Sequence, residues 1–344
     1  MMMNKTLKHI LDNIKNTKEE PLQLNSKVLL IDSMNTFLRS FAMINHMNPS
    51  GAHIGGLTGF LKSIGFAIRH IKPTRVILIF DGNGSTTNKK NLYPEYKAHR
   101  KLQRITNWDG FDGKEDESAS IENQMLRLVE YLRCLPIDLL SIDKIEADDV
   151  IGYITNKLAG EVYIMSADQD FLQLVSDRVT VYSPIKKKFY TPTLVKEEYG
   201  LYPSNFINKK ILMGDDSDNI PGVKGLGPKK LFKLFPELDS PSHIPLRSIL
   251  DKSKELINEH GLYGNIVNFE KQLLVNQQLM DLSDPDISED SLEEIDQVLF
   301  NEPSKLDKLH FLKLYNEDRL GNSIPNTEIW LNEIFSYLQV YKLK

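Results

Sequence analysis

The sequence predicts an α/β fold, a mostly parallel central sheet flanked by helices, and two patterns carry that expectation. Short apolar, β-branched runs end in a polar residue, and they alternate with longer stretches of helical periodicity. A strand covered on both faces reads as such a continuous run, whereas a half-exposed strand would alternate.

Along the chain, residues 1–26 form an N-terminal extension. Its sequence, MMMNKTLKHILDNIKNTKEEP, lacks an apolar stretch followed by a small-residue cleavage site, so it reads as an amphipathic helix and not as a secretory signal. The α/β core spans 27–200, with strands expected at 28–31, 75–80, 137–140, 162–165 and 179–182. Helical patterns occupy 57–71, 121–135, 148–158 and 205–212. A long polar insertion at 83–118 interrupts the core. It is basic first (Lys89, Lys90, Lys97, Arg100, Lys101, Arg104) and acidic later (Asp109, Asp112, Glu115, Asp116, Glu117). Loops of that length in a compact domain usually carry function or disorder. Residues 201–240 form a separate binding region, and 241–344 are helical with acidic linkers.

At 344 residues the chain has room for about two domains. An apolar share of 41% and a charged share of 26%, with no apolar run near the ~18 residues of a membrane span, point to a cytosolic protein. Cys134 is the only cysteine, which excludes an internal disulfide and suggests a buried structural thiol. The net charge of −5 is unevenly spread. Residues 281–296 carry eight acids and no Lys or Arg, which leaves the remainder at +3 by subtraction. Cations bound at the acidic positions below would make that remainder distinctly basic.

Asp32 follows the strand KVLLI, Asp81 follows RVILIF, and Asp168 and Asp170 follow VYIMSA. In open α/β sheets the carboxyl edge is where ligands bind. Glu146, Asp148 and Asp149 open a helix, and Asp215 and Asp218 lie in GDDSDN. Each acid alone reads equally as a helix cap, a turn former or a partner of the helix dipole. Nine together on one edge repel each other unless cations join them. Oxygen donors without a Cys or His cluster favour Mg²⁺ or Mn²⁺ over zinc. Two such ions suit in-line phosphoryl displacement.

The segment IPGVKGLGPKKLFKLF follows directly, with Gly222, Lys224, Gly225, Gly227, Lys229 and Lys230. Exposed amides of a glycine turn plus lysines in a first helical turn form a phosphate clamp, and the plain alternative is a helix connection with solvated lysines. In YPEYKAHRK, a helix would bring Lys97 and Arg100 together at i,i+3, with Tyr93 and Tyr96 as nearby stacking rings.

Taken in order, LLIDSMN, LIFDGN, YPEYKAHR, IEADD, SADQDF and GDDSDNIPGVKGLGPKK resemble the successive motifs of the 5′ nuclease superfamily, the flap endonucleases and the 5′ nuclease domains of bacterial DNA polymerases. The resemblance covers 27–235, and the insert ending TNWDGFDGKEDE is similar to that of the stand-alone ribonucleases H of T-even-like phages. It implies a PIN-like core, an arch built from 83–118 that passes a 5′ single strand, and a helix-three-turn-helix at 201–240. It also implies that Asp32, Asp81, Glu146 and Asp148 surround a first Mg²⁺, and that Asp149, Asp168, Asp170, Asp215 and Asp218 serve a second ion or both. Lys97 and Arg100 match cations that touch the scissile phosphate, and Tyr96 matches a position that stacks on the terminal base. Residues 222–230 match the duplex-holding motif, often with K⁺. The implied activity is Mg²⁺-dependent 5′-to-3′ exonuclease and flap cleavage of branched, nicked or RNA-primed DNA, including RNase H action on primers. The implied setting is a monomer in phage replication, in the host cytoplasm, with a single-stranded-DNA-binding protein or sliding clamp as partners.

Three other readings are weaker. A binding-only DNA clamp would not need nine carboxylates facing phosphate. A haloacid-type phosphatase needs a second Asp two residues after the first, where this chain has Met34. A PIN-type ribonuclease shares the acidic edge but needs neither the glycine/lysine hairpin nor the basic insert.

Overall fold

Strand β1 (Lys27–Asp32) lies between β2 (Arg75–Asp81) and β4 (Glu161–Met165), with β3 (Asp138–Ile142) outside β2 and β5 (Val179–Ser183) outside β4. All these pairings are parallel. The computed structural model describes residues 23–99, 105–106 and 108–343. The expected helix at the N-terminus and the side chains of Arg100, Lys101 and Arg104 lie outside them. All five expected strands are present within a residue or two, and β6 (Lys188–Tyr190) adds an antiparallel edge to β5. That three-residue strand is too short for a periodicity to reveal.

Apolar residues of β1, β2 and β4 point alternately to the two faces, and each face is covered. On one side α1 (Ser33–Met43), α2 (Gly55–Ile71) and α4 (Lys114–Arg133) bury Phe37, Phe41, Phe60, Ile64, Leu128 and Leu132. On the other, α5 (Ala147–Lys157) and a 3₁₀ turn at Asp170–Leu174 bury Val150, Ile151, Ile154, Phe171 and Leu172. Helix α6 (Pro192–Tyr199) adds Val195 to the α5 face, and a third core belongs to α7 (Phe206–Met213), α8 (Pro228–Leu234) and the helices that follow, Leu246–Glu255, Gly261–Asn268 and Glu270–Met280.

The residues after 241 are helical, and they divide among all three cores. Leu279 and Met280 stay with the third, Ile295 and Leu299 of the helix Glu289–Leu299 join the α5 face, and Phe311, Leu331 and Phe335 return to the α2 face. Arg75, wholly buried, ties one of these returns down. It donates to Asp138 at 2.7 Å and to the carbonyls of Val298, Leu299 and Asn301 at 2.6 to 2.9 Å, around the C-terminal end of the helix Glu289–Leu299.

The insertion divides differently from the sequence expectation. A short helix α3 (Thr87–Leu92) opens it, and α4 begins at Lys114, seven residues before the expected start. Glu115, Asp116 and Glu117 thereby become the first turn of α4, where the helix dipole favours negative charge. Glu117 also accepts from the amides of Ile105 and Thr106 at 3.1 and 2.8 Å. The expected helix over YPEYKAHRK is absent from its described part. Residues 94–99 are turns, and Lys97 is left-handed at φ 55°. Cys134 is buried, as expected of a structural thiol.

Candidate active site

The strands β2, β1 and β4 that lead to Asp81, Asp32 and Asp168 are neighbours, so the three acids gather at one carboxyl edge, Asp81 two residues beyond the partner of Asp32 and Asp168 three residues past the end of β4. The strand order reverses at β1, because the chain builds outward through β2 and β3 and then returns to β4 and β5 on the other side. That reversal opens a crevice at the carboxyl edge. Asp32 caps α1, accepting from the amide of Asn35 at 3.3 Å, and takes a second bond from the Ser166 hydroxyl at 2.8 Å. The plain helix-cap role is therefore real and coexists with its place at the edge. Asp81 accepts from the amide of Ala147 at 2.9 Å, which pins the start of α5 and its acids against β2.

Glu146 sits just before α5, 5% exposed, beneath three donors from the insertion and its flank. Lys89 lies 2.9 Å away, Lys97 pairs with the other carboxylate oxygen, and the Tyr96 hydroxyl donates at 2.8 Å. Burial opposes ionisation of Glu146, but the two lysines outweigh it and bring the carboxyl down to about 2. Lys89 also contacts Asp149 at 2.9 Å, and the acids hold its ammonium protonated against burial. Lys97 reaches toward Asp218 at 3.8 Å, and its amide donates to the Asp218 carbonyl at 2.9 Å.

Tyr96 corrects one expectation. A ring that stacks on a terminal base must be open, and this one is 2% exposed, packed into the third core with its hydroxyl on Glu146 and Asp218. Its place is that of a positioning residue beneath the carboxylates.

Around the second group, Lys210 of α7 bridges Asp170 and Asp215, the latter at 2.8 Å, and Ser217 donates twice to Asp215. Burial is again outweighed, and Asp215 falls to about 2. Asp170 stays raised at about 6, because burial and Asp168 exceed the help of Lys210. Asp32 is pushed up to about 7, by burial first and then by Asp81 and Asp168, despite its two hydrogen bonds. Asp148 is raised well above the carboxylate range by burial and by Asp32 and Asp168.

Lys89, Lys210 and Ser166 were not singled out by sequence. Lys89 was legible only as one cation of a basic run, and Lys210 as one of two lysines on a helix preceding GDDSDN.

Among the described residues no three acidic side chains converge as a ready-made metal shell. The donor set nonetheless suits a hard divalent cation. Every donor is a carboxylate oxygen, and the central Asp32 and Asp148 repel each other and stay raised, because the pull of Lys89 on Asp148 is outweighed by burial and by the neighbouring acids.

Beyond this edge, Met213 runs against Gly222 so closely that a Cβ there would lie 2.0 Å from the Met213 carbonyl. Gly225 is left-handed at φ 82°, which glycine alone adopts freely. Gly227 then leads into α8, whose Lys229 and Lys230 are exposed together with Lys224. Lys230 donates to the Gly225 carbonyl at 2.9 Å, bracing the turn. No described helix is long and apolar enough to cross a membrane.

A six-stranded α/β sheet with carboxylates at its switch point, joined to a glycine-turn helix pair, is an architecture suited to metal-assisted hydrolysis of phosphodiesters. Residues 27–200 match the model of the family described as "5′-3′ exonuclease, N-terminal resolvase-like domain", and the chain belongs to that family of nucleases. It is 34% identical to a 5′-3′ exonuclease of Bacillus subtilis over 228 residues, 63% of this chain and 72% of that one. It is 33% identical to DNA polymerase I of the same organism over 74% of this chain, which spans only 27% of the polymerase. Its fold is that of the bacteriophage T5 flap endonuclease solved with DNA and metal ions, at a TM-score of 0.61, 20% identity, and coverage of 85% of this chain and 97% of the other.

Proposed function

We propose that this chain is a divalent-metal-dependent 5′-to-3′ exonuclease and flap endonuclease, hydrolysing phosphodiester bonds near the 5′ ends of branched, nicked or RNA-primed DNA. Asp32, Asp81, Glu146 and Asp148 would hold one Mg²⁺ or Mn²⁺, and Asp149, Asp168, Asp170, Asp215 and Asp218 a second or both. Bound ions would supply charge stabilisation of the attacking and leaving oxygens. The observation that carries this reading is the contiguity of the three acid-bearing strands, with the two central acids raised by burial and by their acidic neighbours.

The chain's own residues do the rest. Lys97, at the foot of the insertion, exchanges Glu146 for the arriving phosphate and neutralises it, with Arg100 as a second cation and Lys89 holding Glu146 and Asp149 in place. Lys224, Lys229 and Lys230 hold duplex backbone away from the reacting centre, and a K⁺ at the glycine turn would strengthen that hold.

The test is cleavage of end-labelled flap, nicked and single-stranded substrates with and without Mg²⁺. Mg²⁺-dependent release of short 5′ products from the flap and nick is expected. Equal cleavage in EDTA, or cleavage of single-stranded RNA alone, would overturn the proposal in favour of metal-free or PIN-type chemistry.

A further inference from the structure

Lys209 and Lys210 are adjacent on α7 and are used differently. Lys210 bridges Asp170 and Asp215, whereas Lys209 has no ion pair within 4 Å among the described residues. Its ammonium lies 5.7 Å from the centre of the Tyr199 ring and 5.5 Å from that of Phe206. Those two rings meet edge to face at 5.5 Å, so the lysine rests on a fixed aromatic wall. Burial, with Lys210 beside it, holds its pKa below the ordinary lysine value, a strain that an arriving anion relieves.

Lys186, in the turn between β5 and β6, approaches the same ring. Its ammonium is 5.4 Å from the Tyr199 centre and donates to the Tyr199 hydroxyl at 3.1 Å. The nearest carboxylate, Glu198 at 3.6 Å, is shared with Lys188. Two ammonium groups therefore flank one tyrosine with less than one carboxylate apiece. The strip also joins the carboxylate edge, since Phe206 and Lys209 line a pocket of about 510 Å³ together with Asp168, Asp170 and Asp215. Through their common ring the two cations are no more than about 11 Å apart. That is at most about three nucleotide steps along one strand, at ~3.4 Å of rise each.

We propose that Lys209, Tyr199 and Lys186 form a backbone-phosphate subsite for the nucleic-acid strand that runs from the carboxylate edge toward the β5–β6 turn. The inference rests on the DNA-cleaving reading and extends its footprint from the glycine-turn lysines to Lys209 of α7 and Lys186 of the β5–β6 turn. Lys209 supplies the desolvated cation and Lys186 the outer one. Tyr199 holds both at a fixed spacing without reading sequence, because a ring and two ammonium groups recognise charge and not base edges.

The test is the salt dependence of binding to nicked DNA, measured in Ca²⁺ for wild type, Lys209→Ala with Lys186→Ala, and Lys229→Ala with Lys230→Ala, each checked for an unchanged Tm. The first double variant is expected to lower the slope of log K against log salt by about 1.8, two contacts at ~0.9 each, and Lys209→Arg to retain its share. Neutral methylphosphonates scanned along the cleaved strand should weaken wild type at one or two positions without weakening the Lys209/Lys186 variant there. If the slope is unchanged while the Lys229/Lys230 variant lowers it, the subsite is overturned and the DNA reading stands. If wild type binds no DNA, the DNA reading itself fails. Should the Lys209/Lys186 variant lose binding to polyglutamate but keep its DNA slope, the strip recognises an acidic polypeptide and the nucleic-acid assignment is wrong. If that variant is less stable than wild type, Lys209→Gln and Lys186→Gln replace it with the same expected slopes.

Discussion

Glu146 and Asp215 ionise more readily than ordinary carboxylates, while Asp32 and Asp148, at the same sheet edge, resist ionisation. Burial acts against the charged form at all four, so the difference lies in what else is near. The first two touch lysines, Lys89 and Lys97 at Glu146 and Lys210 at Asp215. Asp32 has hydrogen-bond donors and other carboxylates around it, and at Asp148 the pull of Lys89 is outweighed by burial, Asp32 and Asp168. Lysines thus outweigh burial at Glu146 and Asp215 but not at Asp149, Asp170 or the central pair, whose charge a divalent cation would relieve. Internal compensation favours stability, and the lack of it favours binding of a metal at a cost in stability.

The sharpest way to break this contrast is Asp148→Asn, which removes a central charge and keeps the shape. Single-turnover cleavage in Mg²⁺ should fall by at least ~10³-fold, a loss of about 4 kcal/mol of barrier lowering. The same variant, free of metal, should melt at a higher temperature than wild type, because a carboxyl whose ionisation burial and its neighbours oppose is gone. Near wild-type turnover would remove Asp148 from the metal set, and a lowered Tm would show that its charge is compensated after all.

A loss of ~10²-fold in single-turnover rate is expected for Lys97→Ala, about 2.7 kcal/mol, with a much smaller change in affinity. Ground-state binding is spread over many phosphate contacts, whereas the barrier depends on the few groups at the reacting phosphate. A large rise in Kd with an unchanged rate would make Lys97 a positioning contact only.

Tyr96→Phe separates the two roles for that ring. A stacking platform would tolerate phenylalanine. A hydroxyl that holds Glu146 would not, and its loss should cost roughly 1 kcal/mol, a fall of about fivefold in rate. The variant should also need more Mg²⁺ for half-maximal activity, which a merely structural change would not produce.

The smallest effect is in the pH dependence of the metal-free protein. Asp32 and Asp170 have folded pKa values raised to about 7 and 6, so between pH 4 and 7 the folded state binds more protons than the unfolded chain, and their contribution to stability falls as pH rises. Glu146 and Asp215, lowered to about 2, contribute stability that is present above pH 4.5 and lost only as pH falls toward 2. Melting in EDTA should therefore drop by a few degrees from pH 5 to 7, and Mg²⁺ should reverse the drop at pH 7. A flat profile would mean that the central acids share a proton or are otherwise relieved.

The strands, the acids that end them and the glycine/lysine turn could all be read from the chain, because each is a local pattern of periodicity, propensity and turn chemistry. Asp32 after KVLLI and Asp81 after RVILIF needed no partner to be noticed. What the sequence left open was the neighbourhood. That β2, β1 and β4 adjoin depends on which strands pair, and that is settled by contacts between residues as far apart as Ile31 and Met165. That Lys89 and Lys210 belong among the acids, that Tyr96 is buried under them, and that Glu115 to Glu117 begin a helix follow from packing and the helix dipole. Local composition, in which Lys89 is one cation of a basic loop, carries no trace of these facts. The residues by themselves determined which charges had to be reconciled at the sheet edge. Only the tertiary structure decided which lysine meets which carboxylate, because Coulomb energy and desolvation depend on distance in space and not on separation along the chain.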